Sequence, residues 1–181
     1  VMNLDDGVLS NVEYINVLTF GEKDALGQIP NPPDELLTFM DAGAWYLRDV
    51  GWSPDFRSVA ETTILMNAVT EQEPIDGVIS LTQWAFVYLV DGLGSIETLN
   101  GELTGSQVMK VIEKGTDTEG TDFLLSMFDS MIDSITAERL DGNLVNFTQS
   151  ILQAFAQKQV MVYSTDNELE EQLVKIGWGG S

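Results

Sequence analysis

Residues 75–94 read Ile-Asp-Gly-Val-Ile-Ser-Leu-Thr-Gln-Trp-Ala-Phe-Val-Tyr-Leu-Val-Asp-Gly-Leu-Gly, and their order decides the fold class. Ile75 to Leu81 is a short apolar run suited to a buried strand. Thr82 then offers a hydroxyl to cap a helix carrying Trp84, Phe86, Val87, Leu89 and Val90, and Gly92 and Gly94 stop it. Just upstream, Ser58 to Thr70 sets Val59, Thr63, Met66 and Val69 on one face at helical spacing. Helix, strand, helix in that order predicts α/β layering.

Working outward, Ile96 to Leu99 reads as a strand, and Thr104 to Glu113 as a helix with Val108, Val111 and Ile112 on one side. Two longer helices follow. Asp122 to Glu138 repeats Phe123, Met127, Met131 and Ile135, and Asn143 to Gln157 repeats Leu144, Phe147, Ile151 and Phe155. Such Met and Phe stripes are read as core, not as a cofactor box. Val160 to Tyr163 is a short strand, and Ser164 to Ile176 an acidic helix, capped by Thr165 or Asp166, with Leu169, Leu173 and Ile176 inward. Toward the N-terminus, Val12 to Phe20 reads as a strand entered from a turn at Asp5-Asp6-Gly7. Asp34 to Met40 reads as a short helix started by Pro33, and Trp45 to Phe56 as a structured loop. The expected fold is a helix-rich α/β domain with a central mixed sheet flanked by helices. No repeat or low-complexity linker divides residues 1–181, so they are expected to form a single domain.

Composition narrows the chemistry. Eight Lys plus Arg against 29 Asp plus Glu give a formal charge of −21, a field that repels phosphate backbones and anionic lipid surfaces. Nucleic acid is therefore an unsuitable partner. The chain has no Cys and no His, so thiol nucleophiles, thiolate or imidazole metal sites and Ser-His-Asp triads are excluded. There is no run of ~18 apolar residues and no basic, then apolar, leader at Val1 to Asp6, so direct membrane insertion by this chain is not expected. The start at Val1 and the end at Gly179-Gly180-Ser181 read as boundaries inside a longer protein, whose flanking domains are then expected partners.

Acidic clusters raise the question of a bound metal ion. Asp117, Glu119 and Asp122 offer hard oxygen ligands, but their order does not follow the Ca²⁺-binding loop of an EF-hand. They read instead as the start of the next helix, capped by Thr121. No metal, no cofactor and no catalytic residue is assigned. No phosphate-cradling Gly loop occurs either, because Gly92-Leu93-Gly94 ends a helix and lacks the third Gly that opens the next one.

The candidate ligand-binding residues are Trp45, Arg48, Asp49, Trp52, Asp55 and Arg57, which sit in one dense aromatic and charged stretch. Two readings stand. In one, Trp45, Tyr46 and Trp52 offer faces to sugar or lipid while Arg48 gathers an anion. In the other, the aromatics tuck into the core and Arg48 and Arg57 pair with Asp49, Asp55 or backbone carbonyls.

The same stretch, Trp45-Tyr46-Leu47-Arg48-Asp49 followed by Gly51-Trp52-Ser53-Pro54-Asp55-Phe56, resembles the signature of the bacterial family DUF4012. Ile75-Asp76-Gly77-Val78-Ile79, Val160-Met161-Val162-Tyr163 and the Glu168 to Trp178 segment resemble later blocks of that family. The resemblance implies an extracytoplasmic domain, anchored in its parent by an N-terminal transmembrane helix that this chain lacks, in the context of cell-envelope polymers. More distantly, Phe86 to Ile96 and Leu103 to Met109 resemble blocks of the LytR-CpsA-Psr family, which transfers glycopolymers from polyprenyl-pyrophosphate carriers. That likeness implies an α/β/α sandwich. Its phosphate-clamping arginines do not carry over, since Glu113 and Gly115 stand where the first two fall and Lys114 is the nearest cation. The expected function is a non-catalytic binding or structural module in envelope polymer assembly, with an envelope glycopolymer or polyprenyl-linked glycan as partner. The alternative is a divergent transferase, which requires Arg48, Arg57, Lys110 and Lys114 to converge.

Overall fold

A computed structural model describes residues 1–6, 8–14, 29–41, 43–69, 73–98, 100–114, 118–136 and 143–180, the side chains of 114, 118–124 and 136 excepted. Helices dominate, and the protein is a helix-rich α/β fold. Among the described residues the strands pair two by two in three small sheets, where one central sheet was expected. The chain gathers into two compact units, Val1–Val78 with Val162–Ser181, and Ile79–Met161.

The first unit opens with an antiparallel hairpin, β1 (Met2–Asp5) and β2 (Val8–Val12), which pairs Met2 with Val12 and Asn3 with Asn11, then shifts register by one residue to pair Leu4 with Leu9 and Asp5 with Val8. The Asp5-Asp6 turn is where the sequence placed it, with Asp6 in the left-handed region at φ 50°. The strand lies before the expected span of 12–20, and residues 15–20 fall outside the described residues. Helix α1 (Asp34–Met40) has the predicted bounds. Pro33 precedes it, Asp34 and Glu35 complement its dipole, and Asp41 closes it in the left-handed conformation.

The stretch expected to be irregular holds a 3-10 helix at Leu47–Trp52. It forms because its ends are tied reciprocally: the Asp49 N–H donates to the Tyr46 carbonyl at 2.9 Å, and the Tyr46 N–H donates to the Asp49 carboxylate at 3.3 Å. Helix α2 (Phe56–Val69) follows directly. It buries Phe56, Ala60, Met66 and Asn67, a face offset from the expected one, since Val59, Thr63 and Val69 are only half-buried.

Two further strands are β3 (Gly77–Leu81) and β6 (Val160–Ser164), which pair with each other. Helix α7 (Asn167–Lys175) then begins at Asp166, whose side chain accepts from the Leu169 N–H at 2.9 Å. The helix closes on a left-handed Gly177 (φ 77°), with the Gly177 N–H on the Val174 carbonyl and the Trp178 N–H on the Leu173 carbonyl. This Schellman closure satisfies the last carbonyls and turns the tail, so that the Trp178 carbonyl accepts from the Val162 N–H at 3.1 Å. The tail then packs so tightly that a Cβ at Gly180 would lie 1.9 Å from the Phe56 Cβ. Of the three residues expected inward on α7, only Leu173 is buried; Leu169 and Ile176 are exposed, at 49% and 57%. Glu170 takes the inward place, because its carboxylate accepts the Ser164 N–H at 2.9 Å and so satisfies a buried backbone donor.

The second unit is built on α3 (Gln83–Leu93). Thr82 caps it through its side chain to the Ala85 N–H, and Gly94 ends it at φ 86°. Around it stand β4 (Ile96–Thr98), β5 (Gly101–Leu103), α4 (Gly105–Lys114), α5 (Thr118–Thr136) and α6 (Leu144–Ala156). Strand β5 is too short to show a pattern in the sequence; it pairs antiparallel with β4, setting buried Ile96 opposite buried Leu103. The core joins Leu89, Val90 and Leu93 of α3 to Val108, Met127, Met131 and Phe147. Each such buried side chain contributes about 1.5–3 kcal/mol relative to exposure. Met127, Met131, Phe147 and Phe155 therefore serve as core, while the side chain of Phe123 lies outside the described residues. One stripe residue departs from this: Leu144 is 56% exposed.

Helices α3 and α6 run antiparallel: Asn143 donates to the Leu93 carbonyl at 3.0 Å, and the Tyr88 hydroxyl donates to Gln157 at 2.7 Å. They meet at Gly92, where a Cβ would stand 2.9 Å from the Phe147 Cα. In an open helix Gly to Ala stabilises by about 1 kcal/mol. Here the backbone overlap reverses the sign, and we predict that Gly92→Ala lowers stability by about 1–3 kcal/mol in urea unfolding. A gain in stability would contradict the close crossing of the two helices.

Candidate functional site

The six candidate residues lie on the 3-10 helix Leu47–Trp52, on its flanks, and at the start of α2, all in the first unit. Arg48 lies with its guanidinium 4.3 Å from the centroid of the Tyr46 ring, and its Nε is 3.9 Å from an Asp49 carboxylate oxygen. Asp49 thus does two jobs, tying the helix start and facing the guanidinium. Trp45 is half-buried, and its indole nitrogen is buried with no partner among the described residues. Trp52 is 40% exposed at the other end of the turn.

Beyond Trp52 the charges serve α2. The Asp55 carboxylate accepts both the Ser58 N–H, at 3.1 Å, and the Ser58 hydroxyl, so it caps the helix. These two bonds from Ser58, the hydroxyl's foremost, hold the Asp55 carboxyl below its ordinary pKa. Arg57 pairs with Glu61 at 2.9 Å, one helical turn on, and that bond raises its pKa. The Tyr163 hydroxyl approaches the same Glu61 carboxylate at 3.4 Å. Burial first, and then the Glu61 charge, push the Tyr163 phenol pKa up, so it remains neutral at pH 7.

The expected partnerships thus divide. Arg48 does pair with Asp49, but Arg57 pairs with Glu61 and not with Asp49 or Asp55. Glu61 had a sequence signal in its spacing of four from Arg57. Tyr163 had none, since it reaches Glu61 only through packing of a residue 102 positions away. A half-open cleft of about 270 Å³ lies in the same unit, lined by Val1, Glu13, Tyr14, Leu47, Thr63, Asn67 and Ile75, and none of the six candidate residues lines it. Among the described residues no three carboxylates gather to hold a metal ion, and no helix is long and apolar enough to cross a membrane. Asp117 and the side chains of Glu119, Asp122 and Lys114 lie outside the described residues. Lys110 stands on α4, in the second unit.

Fold and site together define an acidic, helix-rich α/β protein with an aromatic and arginine-bearing turn at its surface. The chain belongs to the family described as protein of unknown function (DUF4012), whose family model matches residues 1–116. That span contains the whole of the 45–57 segment. No curated protein and no solved structure matches the chain.

Two outcomes follow from this geometry. Because the folded state lowers the Asp55 pKa below 3.8, its cap contributes fully above that pH and is lost as pH falls through the lowered value. Asp55→Asn should therefore lower the melting temperature at neutral pH, and the gap from wild type should close in strong acid; a gap independent of pH would refute the cap. Arg48 is only partly covered, its side chain 38% exposed, and its Asp49 contact is long. We therefore expect Arg48→Ala to lower stability by no more than about 1–1.5 kcal/mol, measured by denaturant unfolding.

Proposed function

We propose that this chain is a non-catalytic binding module of an extracytoplasmic, membrane-anchored protein acting in envelope polymer assembly, and that it meets its ligand through residues 45–57. One observation carries the reading. Trp52 presents 40% of its surface to solvent at the end of a 3-10 helix whose start is tied between Tyr46 and Asp49 and carries the Arg48 guanidinium over the Tyr46 ring. A large aromatic held exposed on a fixed turn is what a sugar-binding surface needs, because rigidity lowers the entropy lost on binding. The likeness of residues 45–56 to the DUF4012 signature and of 86–96 and 103–109 to LytR-CpsA-Psr blocks supports the envelope context.

The transferase alternative asks for free cations around a pyrophosphate. Arg48 is engaged by Tyr46 and Asp49, Arg57 is engaged by Glu61, and Glu113 stands where that family places an arginine. No observation favours it.

Titration of the isotope-labelled chain with solubilised envelope polysaccharide, followed through the Trp52 indole resonance, tests the proposal. We expect that resonance to shift while those of Trp84 and Trp178 stay, and Trp52→Ala to weaken binding by roughly tenfold, the loss of about 1.4 kcal/mol of stacking. Unchanged Trp52 signals at saturating polysaccharide would refute the reading.

A further inference from the structure

The charges around Trp52 also restrict what kind of polymer it meets. Between Trp45 and Glu61 the chain carries Arg48 and Arg57 against Asp49, Asp55 and Glu61, two positive charges against three negative, a local sum of −1. Both arginines already have carboxylate partners, at 3.9 Å and 2.9 Å. The surface beyond belongs to a chain of net charge −21. A polyanion approaching this turn meets repulsion both within one Debye length, about 10 Å at 0.1 M salt, and from the molecule as a whole. Any phosphate or carboxylate contact it makes there competes with Glu61 for Arg57 and with the more distant Asp49 for Arg48.

An uncharged sugar meets none of these costs. Its ring C–H groups can pack on the exposed part of Trp52 without displacing an ion pair. From the exposed Trp52 and the neutralised arginines together, we infer that residues 45–57 select an uncharged glycan and reject anionic envelope polymers. This inference rests on the binding reading above and adds the chemical class of the ligand.

The test separates envelope polysaccharide by anion exchange into an unretained, uncharged fraction and a retained, anionic fraction, and titrates each into the chain by calorimetry at low and high salt. The uncharged fraction should bind with an affinity that salt does not change, and Trp52→Ala should reduce that affinity by roughly tenfold. The anionic fraction should not bind. Binding of the anionic fraction, weakened by salt and lost in Arg48→Gln, would overturn the charge inference while leaving residues 45–57 as a binding site. Binding of neither fraction, or binding that survives Trp52→Ala, would overturn both.

Discussion

Cations are scarce in this protein, and that scarcity shapes what its surface does. Eight basic side chains are set among 29 carboxylates, so a guanidinium near the surface finds an acidic partner close at hand. Arg57 takes Glu61 along the helix, Lys175 lies 3.8 Å from Glu171 one turn away, and Arg48 takes Asp49 and the Tyr46 ring. Exposed pairs of this kind contribute little to stability, about 0–1 kcal/mol each. Their larger effect is on chemistry. A guanidinium that faces a carboxylate is a less ready clamp for phosphate than one without such a partner.

Stability is supplied elsewhere, by two small cores. In the second unit α3 is apolar on nearly every side, and it is enclosed by α4 and α6 with Ile96 and Leu103 of the β4–β5 hairpin. Val90 and Val108 are fully covered there. In the first unit Phe56 occupies the corresponding place: it starts α2, is 3% exposed, and receives the backbone of Gly180 from the tail. The tail reaches it because Gly177 reverses the chain after α7, so a left-handed glycine far along the sequence completes the environment of the helix that follows the candidate site.

Much of this was legible in the sequence where one residue dictates local geometry. Pro33 with Asp34 and Glu35 marked α1, Thr82 began α3 and Gly94, of the two glycines offered, ended it, and of Thr165 and Asp166 it is Asp166 that begins α7, each through a hydrogen bond or a dihedral preference that needs no tertiary context. Periodicity was sound for Met127 and Met131 and failed for Leu169, Ile176 and Leu144. On α7 the failure has a specific cause, since the Ser164 N–H required an acceptor and Glu170 turned inward to supply it. Strand β5 escaped notice because three residues hold no alternation, and the 3-10 helix at Leu47–Trp52 because its ties run between backbone and a single aspartate. At the candidate site the Arg48–Asp49 pair follows from adjacency and Arg57–Glu61 from helical spacing. The place of Tyr163 depends on the tertiary approach of its hydroxyl to Glu61, which no local pattern encodes.

The 3-10 turn leaves Trp52 exposed while Trp45, at its start, is half-buried with its ring nitrogen covered. Acrylamide quenching of variants that retain a single tryptophan measures this directly. With Trp52 alone, 40% exposed, fluorescence should be quenched measurably more efficiently than with Trp45 alone, which is half-buried with its ring nitrogen covered. Equal quenching of the two, or stronger quenching of Trp45, would contradict the arrangement on which the binding surface depends.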